Sequence, residues 1–564
     1  MPVSSRWNVE IPGGSLPRWT FGSSFDPLPD TPLFVDPEKP DTHVLSKSQF
    51  RLWSKRFAIG LIEAGLQPGD RVLLFSGNTL FTPVVFMGVL MAGGVFTGAN
   101  PSFVARELAY QLKDSGASFL VSANSSMDIA TEAAAEVGLP KDKVYSFDAT
   151  ALDSTPGKAP PGAKHWTDLL VSAEKAEKWD WYEAPDSKTA TCCLNYSSGT
   201  TGVPKGVQIS HYSYIANGIQ VLHVAAMRDD YEDWVKRSRQ LCFLPMYHAF
   251  GQTYFTTIFP KIGIPVYIMG GFDFVKMLEY VQKYRITSLT CVPPIVVALA
   301  KHPLARKYDL SSIESLGSGA APLTREVAEE AEKLWPSGDV LITQGWGMTE
   351  VTCTCLTWHP GSKLKSIAVG ELTPNCRGKI MRLDGSGEIT TANESGEIWV
   401  TGPTLMQGYW NKPEATANTL HIDADGTRWL KTGDIAFIEK YEQGGLWHVI
   451  DRLKELIKVK GNQVAPAELE GVLLENKSVI DAAVVGVTIN GEEVPRAYVV
   501  PNPAAKVSEQ DIAQWMQNKV VRYKWLKGGV IYVPEIPKNP SGKILRKELR
   551  DRAAKEVGDK KSAL

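Results

Sequence analysis

Apolar residues in the first 350 positions alternate between runs of strand length and runs of helix length. The pattern predicts a strand at 72–75, a buried helix at about 80–92 and a second strand at 95–97. Continuous apolar strands separated by helices are typical of parallel sheets covered on both faces, so we expect a doubly wound α/β core. The stretch 72–105 carries no charge and is long enough for a membrane span, but glycine, asparagine and proline residues interrupt it, which favours strand, helix and strand.

The pattern changes twice in the second half of the chain. From about 370 to 450, short strands bounded by glycine turns predict a β-rich subdomain or barrel. After this region, a helix that opens at Pro466 and two further strand-like runs predict a small α+β unit. We therefore predict an N-terminal domain at 1–451 and a C-terminal domain at 452–564.

The composition is that of an ordinary globular chain. The 564 residues include 60 Lys+Arg and 62 Asp+Glu, with a formal net charge of −2, and 43% of them are hydrophobic. This balance excludes a largely disordered chain and gives no electrostatic reason to expect a nucleic-acid partner. The 7 cysteines are odd in number and form no pair of CxxC motifs, so we interpret them as reduced thiols of an intracellular protein. The N-terminal residues show no secretory signal.

One segment, Tyr-Ser-Ser-Gly-Thr-Thr-Gly-Val-Pro-Lys-Gly at 196–206, is suited to a polyphosphate. Glycines let backbone N–H groups approach anionic oxygens, hydroxyls add donors and the lysine adds positive charge. No Walker A motif can be fitted to it. From composition alone, a flexible surface loop remains an equal alternative. The candidate phosphate-binding residues are Ser197, Ser198, Gly199, Thr200, Thr201, Gly202 and Lys205.

The string Ser-Ser-Gly-Thr-Thr-Gly-x-Pro-Lys-Gly resembles the signature of the adenylate-forming superfamily, and among its members most resembles 4-coumarate:CoA ligases and related aryl- and acyl-CoA ligases. The resemblance extends from about 70 to 549. It implies a large N-terminal domain of two doubly wound α/β subdomains plus a distorted β-barrel, with a small mobile C-terminal α+β domain. It also implies ATP, Mg²⁺ and coenzyme A as cofactor and co-substrates, and a small carboxylic acid as substrate.

Three further motifs match the superfamily in the N-terminal domain. In Gln-Gly-Trp-Gly-Met-Thr-Glu at 344–350, an aromatic residue between glycines can stack on a base, and the Thr–Glu pair offers a hydroxyl and a carboxylate. Trp346 stands where the family usually has Tyr. The nucleotide site that the resemblance implies comprises Ser318, Gly319, Ala320, Ala321, Gln344, Gly345, Trp346, Gly347, Met348, Thr349 and Asp434, with Mg²⁺ on Glu350 and Thr201.

The acid pocket implied by the resemblance begins at His248, which would contact the carboxylate, and is completed by Phe250, Gly319, Gly345 and Met348. A histidine among aromatic residues is otherwise more often a buried core residue. We expect Val292 and Ile295 to add apolar lining, which suits an aryl or medium-chain acid.

The C-terminal motifs carry lysines with implied roles in two steps. Lys543, in a Pro/Gly loop before a helix, would be the adenylation lysine, and Lys454 the hinge for domain rotation. Alternation places Lys458 and Lys460 on one strand face, which is normally a solvated one. By resemblance, Lys458, Lys460, Gly461 and Gln463 act in the thioester step, while Arg452 reaches the ribose.

The implied reaction joins an acid to AMP with release of pyrophosphate and then transfers the acyl group to coenzyme A. Three alternatives remain open: an adenylation enzyme that loads a carrier protein, a luciferase-like oxygenase and a non-catalytic nucleotide-binding protein. No carrier module follows Lys543 in this sequence, which favours free coenzyme A. The terminal Ser562, Ala563 and Leu564 loosely resemble a peroxisomal SKL signal, so a cytoplasmic or peroxisomal location is predicted. No membrane span is predicted, and the pattern carries no prediction of oligomeric state.

Overall fold

The computed structural model describes residues 2–154, 157–197, 204–460, 462–489, 491–539 and 542–562. Two largely parallel sheets with surrounding helices form the centre of the fold, and antiparallel sheets follow them in the chain. The last two residues, on which the SKL-like prediction depends, lie outside the described residues.

The first sheet has eight strands and buries both of its faces. In spatial order the strands are Gly408–Tyr409, Lys205–Ser210, Thr191–Ser197, Val95–Ala99, Arg71–Phe75, Ala117–Ala123, Val144–Phe147 and Lys164–His165. Along one strand, Leu73 and Phe75 join a hydrophobic cluster with two helices, while Val72 and Leu74 point into the main core. Every residue of the helix Thr82–Met91 is buried, which confirms the predicted strand, helix and strand.

The second sheet has seven strands and parallel pairing except at one edge. Its spatial order is Ile342–Gln344, Ser315–Ser318, Ser288–Cys291, Gln240–Cys242, Val266–Ile268, Pro32–Val35 and Val44–Ser46, of which the last two pair antiparallel. Parallel strands present their carboxyl ends at the same edge, so motifs that follow different strands can meet there.

The predicted β-rich region is an antiparallel sheet. Its strands are Val3–Ser4, Arg377–Met381, Glu388–Ile389, Gly396–Thr401, Leu420–Ile422, Arg428–Ile438 and Trp447–Arg452. A smaller antiparallel sheet comprises Trp346–Gly347, Thr354–Thr357 and Glu371–Leu372. The strand Val3–Ser4 was not predicted, and neither was the helix Pro413–Thr419 within this region.

Residues from Ile457 onward form a unit with hydrophobic clusters of its own. A hairpin of Ile457–Val459 and Asn462–Val464 precedes a mixed sheet of Val479–Ile489, Glu492–Pro501 and Val530–Tyr532. Helices Pro466–Glu475 and Glu509–Gln517 contribute to the cluster on one face of this sheet, and Arg546–Ser562 contributes to the other. The α+β content agrees with the prediction, whereas the boundary at 451 stays a prediction.

The two parts of the chain contact each other through polar and apolar side chains, and Leu474 packs against the main core. Lys301 Nζ donates hydrogen bonds to the carbonyl oxygens of Leu474, at 2.8 Å, and Val479, at 2.5 Å. The methyl group of Thr324 lies 2.1 Å from the position that a Cβ on Gly471 would occupy, so only glycine fits there.

The remaining α-helices cover the sheets. They are Leu16–Phe21, Lys47–Glu63, Ala105–Ser115, Met127–Val137, Ala173–Glu177, His211–Ala225, Tyr231–Arg237, Ala249–Thr253, Phe259–Ile262, Phe274–Tyr284, Pro293–Lys301 and Arg325–Glu332. A wider π-helical turn, Tyr254–Ile258, joins two of them. Within the described ranges, none of the helices is both long and apolar enough to cross a bilayer. All seven cysteines are buried as free thiols.

Candidate active site

A cleft of about 1620 Å³ opens at the carboxyl ends of the second sheet and reaches the C-terminal unit. Seventeen of the sequence-predicted residues line it: Ser197, Lys205, His248, Phe250, Ser318, Gly319, Ala320, Gln344, Gly345, Trp346, Gly347, Met348, Thr349, Glu350, Arg452, Lys454 and Lys543. These residues come from positions as far apart as Ser197 and Lys543, so the fold gathers motifs that are distant in sequence.

Other predicted residues lie elsewhere or outside the described residues. The cleft lining does not include Ala321, Asp434, Lys458, Lys460 or Gln463. Asp434 is buried next to the lining, where it accepts a hydrogen bond from the lining residue Trp346. Ser198, Gly199, Thr200, Thr201, Gly202 and Gly461 lie outside the described residues. Of the two apolar residues expected in the acid pocket, Val292 lines the cleft and Ile295 is buried away from it.

The phosphate-loop candidate connects two paired strands whose ends are firmly anchored. Ser197 and Lys205 are register partners in an antiparallel pair. Tyr196 donates its hydroxyl to Asp114 at 2.9 Å, and the same carboxylate pairs with Lys412 at 2.5 Å. Tyr110 donates to the carbonyl oxygen of Pro204 at 2.9 Å. These side chains fix both ends of the loop, and the sequence motif itself did not indicate them.

Tyr409 connects the predicted metal carboxylate with the predicted phosphate lysine. Its hydroxyl donates to Glu350 Oε1 at 2.9 Å, and the ammonium of Lys205 lies 4.7 Å from the centre of its ring. Burial and the Glu350 carboxylate raise the pKa of Tyr409, so the hydroxyl stays protonated and remains a donor. Tyr409 follows a glycine in a short edge strand, a weak signal that sequence reasoning missed.

The predicted ribose carboxylate, Asp434, is held by two side chains. The indole N–H of Trp346 donates to Asp434 Oδ2 at 2.9 Å, and Arg452 Nε lies 3.4 Å from Oδ1. Oδ1 is buried and accepts no hydrogen bond within the protein. A buried acceptor of this kind calls for a donor, and a ribose hydroxyl is such a donor. The backbone supports this pairing because Asp434 and Arg452 are register partners on neighbouring strands.

Lys543 and His248 both line the cleft, and the pKa of each is lowered. Burial, and then the nearby Arg452 guanidinium, lower the pKa of Lys543 to about 8. Burial, and then the Lys543 ammonium, lower the pKa of His248 to about 4, so its imidazole is neutral at pH 7. An anionic ligand beside Lys543 would raise its pKa again and keep the ammonium charged.

The backbone of the cleft lining turns sharply at Ala320. Ala320 has φ of 69°, in the left-handed region, directly after the strand that ends at Ser318. Such a conformation costs about 1–2 kcal/mol for a residue with a Cβ and is often found at functional sites. The predicted small-residue segment therefore turns sharply at the cleft wall.

The hairpin predicted to act in the thioester step faces solvent. Lys458 and Gln463 are exposed register partners, and Lys460 pairs with Glu492 at 3.0 Å. Lys460 lies beyond the strand with φ of 50°, so the prediction that it shares a strand face with Lys458 was wrong. A turn at this residue ends the alternation on which that prediction depended.

Comparisons with known proteins agree with this geometry. The AMP-binding enzyme family matches residues 24–410, and the AMP-binding enzyme C-terminal domain matches residues 468–543. Phenylacetyl-CoA ligase epaB of Aspergillus niger is 34% identical over 97% of this chain and 98% of its own length. 4-Coumarate–CoA ligase 1 of Petroselinum crispum is 36% identical over 90% of this chain and 89% of its own length. ATP-bound MatB from Rhodopseudomonas palustris, 24% identical, superposes with a TM-score of 0.79 over 96% of this chain and 100% of that chain, which confirms the predicted fold class.

Proposed function

The chain belongs to the AMP-binding enzyme family, and we propose that it is an ATP-dependent acid–CoA ligase acting on a small carboxylic acid. The single observation that carries the proposal is that Lys543, from the C-terminal unit, lines the same cleft as Lys205 and Glu350. Two cations and a carboxylate that converge from distant segments suit a triphosphate with its metal ion.

In the first half of the proposed reaction, a carboxylate oxygen bonds to the α-phosphorus of ATP and the bond from that phosphorus to pyrophosphate breaks. An anion approaches a polyanion, so fixed positive charge and alignment limit the rate. Lys205 and Lys543 supply the charge, and the Thr349 hydroxyl supplies a donor. The neutral imidazole of His248 can donate one N–H to the incoming carboxylate.

Mg²⁺ fits this site as a metal shared between the protein and the nucleotide. The described residues contain no group of three or more His, Cys, Asp or Glu that could hold a metal alone. Magnesium is commonly held by one or two carboxylates together with substrate phosphates, and Glu350 lines the cleft as such a carboxylate. Bound there, Mg²⁺ would neutralise phosphate charge.

In the second half, the sulfur of coenzyme A bonds to the acyl carbon and the bond from that carbon to AMP breaks. We propose that the C-terminal unit rotates about Lys454, an exposed residue between the strands Trp447–Arg452 and Ile457–Val459. Rotation would remove Lys543 from the cleft and bring in the hairpin that carries Lys458 and Gln463. The solvent-facing position of that hairpin fits an arrangement suited to the first half.

The decisive experiment measures the two half-reactions separately in Lys543→Ala. Pyrophosphate release should fall by roughly 10²–10³-fold, while thioester formation from preformed acyl-adenylate is retained. Lys547→Ala, which changes an exposed lysine on the following helix, is the matched control and should leave both rates unchanged. Equal loss of both half-reactions in Lys543→Ala would contradict the assignment.

The same assay separates the alternatives. Acid-dependent pyrophosphate release identifies an adenylating enzyme and excludes a non-catalytic nucleotide binder. Release of AMP on addition of free coenzyme A, with a hydroxylamine-reactive thioester as product, identifies the ligase. Adenylation that is not followed by thioester formation would instead favour a carrier-loading or oxygenase activity.

A further inference from the structure

The cleft continues well beyond the space that the nucleotide motifs surround. Its lining follows the strands of the second sheet back toward their amino ends, where it includes Ser288, Ser315 and Leu341. From Gly319 to Ser315 the strand advances by roughly 13 Å at the usual rise per residue. A compact aryl acid held near His248 would leave this deeper part unfilled.

The deeper part exists because small residues replace the usual covering of the sheet. Thr290, Gly317 and Thr343 are partners in register on three adjacent strands, and all three line the cleft. A Cβ built on Gly317 meets no atom within 4 Å, although this glycine lies inside a strand of the second sheet. Sheet faces in doubly wound folds are normally covered by apolar side chains. The uncovered face at Gly317 is therefore part of the cleft.

The opposite wall is apolar and aromatic. Phe250, Tyr254 and Phe259 line the cleft from the helical segment that contains the π turn. The Phe250 ring lies 3.3 Å from a Cβ built on Gly319, so the passage is narrow at this point and widens at Gly317. Leu310 and Leu334 extend the apolar lining at the far end.

We infer that this deeper part is an acyl-chain channel and that the acid is an elongated, chain-like one. The inference rests on the proposed function. The carboxylate would lie beside His248, and the chain would pass Phe250 and lie between the aromatic wall and the floor formed by Thr290, Gly317 and Thr343. At the far end, ion pairs of Arg228 with Asp230, at 3.0 Å, and Arg237 with Glu314, at 2.6 Å, mark a polar rim where the channel meets solvent. Each methylene that packs against the aromatic wall adds binding free energy, so affinity should grow with chain length.

The test measures acid-dependent pyrophosphate release by the full chain with straight-chain acids from hexanoate to hexadecanoate, and with phenylacetate and 4-coumarate. We expect kcat/KM to rise several-fold with each added methylene over the middle of the series and to exceed the values for both aryl acids. A flat series, or a preference for an aryl acid, would overturn the inference and leave the ligase proposal intact. If none of these acids supports pyrophosphate release, both the channel inference and the ligase proposal are contradicted.

Two variants test the position of the channel. Gly317→Val places a side chain in the open floor, and Thr343→Leu narrows it from the neighbouring strand. Each should lower the ratio of kcat/KM for a long acid to that for hexanoate by about 10-fold or more. Gly271→Val also adds a side chain where a Cβ meets no atom within 4 Å, but outside the cleft, and should leave the ratio unchanged. An unchanged ratio in both floor variants would overturn the inference.

Discussion

At the scale of single residues, Trp346 departs from the family pattern in a way that the structure explains. The pattern has Tyr at this position, and the indole N–H of Trp346 instead donates to Asp434. This bond uses Asp434 Oδ2, whereas Oδ1 accepts no hydrogen bond and is paired only with Arg452 at 3.4 Å, which leaves it able to accept from a ribose hydroxyl in the proposed role. The aromatic character was readable from the sequence, whereas the partner was not, because the two residues lie 88 positions apart.

Trp346→Phe keeps an aromatic ring and removes this donor. A hydrogen bond to a charged group contributes about 1.5–3 kcal/mol to stability, so the melting temperature should fall, and KM for ATP should rise by up to roughly 10- to 100-fold because Asp434 is no longer held in position. Steady-state kinetics with varied ATP measure the effect. Trp181→Phe removes an equivalent indole–carboxylate bond, to Glu183 at 2.8 Å, outside the cleft and should leave KM unchanged. An unaltered KM in Trp346→Phe would show that Asp434 needs no such support.

The shifted pKa of Lys543 predicts a pH dependence. In the proposed adenylation role the active form of Lys543 is the ammonium, and its fraction falls tenfold per pH unit above the pKa of about 8 in the free enzyme. We therefore expect kcat/KM for ATP to decline as the pH rises from about 8 to about 10, since this ratio reports the free enzyme. Lys543→Arg, which stays charged, should lose this decline. A wild-type profile that is flat over this range would contradict the role of Lys543.

At the scale of secondary-structure elements, the strongly periodic segments were predictable and the weakly periodic ones were not. The segment 72–97 carries enough apolar residues to define strand, helix and strand. Pro413–Thr419 has no buried residue, so no apolar period marks it as a helix. Val3–Ser4 is too short to show alternation. In the site, motifs indicated residues that line the cleft, but the side chains that anchor them, such as Tyr409 and Asp114, come from elements without a motif.

Tyr409 joins two elements and gives a prediction at this scale. Tyr409→Phe retains the ring beside Lys205 and removes the hydroxyl from buried Glu350. An unsatisfied buried carboxylate oxygen costs about 1–3 kcal/mol, so the Mg²⁺ concentration for half-maximal activity should change by roughly tenfold. Activity titrations with Mg²⁺ at saturating ATP measure this change. Tyr441→Phe, which removes a similar bond to Glu388 at 2.7 Å, is the control, and identical titrations for all three proteins would contradict the coupling.

At the scale of the whole molecule, the C-terminal unit has its own hydrophobic clusters and contacts the rest of the chain through polar and apolar side chains, among them Lys301, Thr324 and Leu474. Lys301 is one of these contacts, because its ammonium donates to carbonyl oxygens near the end of the helix Pro466–Glu475 and at Val479. Cations are favourable at such carbonyls. The contact therefore stabilises the arrangement in which Lys543 lies in the cleft.

Lys301→Met should shift the population away from this arrangement. Adenylation should slow by roughly 5- to 30-fold, from the loss of about 1–2 kcal/mol, while thioester formation from acyl-adenylate is unchanged or faster. Single-turnover measurements of both half-reactions test this expectation. Lys307→Met, at an exposed lysine nearby, should change neither rate. Equal slowing of the two half-reactions would show a general loss of stability instead.

The short strand Val3–Ser4 has a consequence for how the chain is made. It pairs with Arg377–Met381, and Arg6 forms an ion pair with Glu371, 365 positions away. During synthesis at about 5–20 residues per second, the segment 3–6 waits roughly 20–70 s before its partners leave the ribosome. This segment is therefore accessible to chaperones and proteases throughout that interval, and slower translation would prolong its exposure.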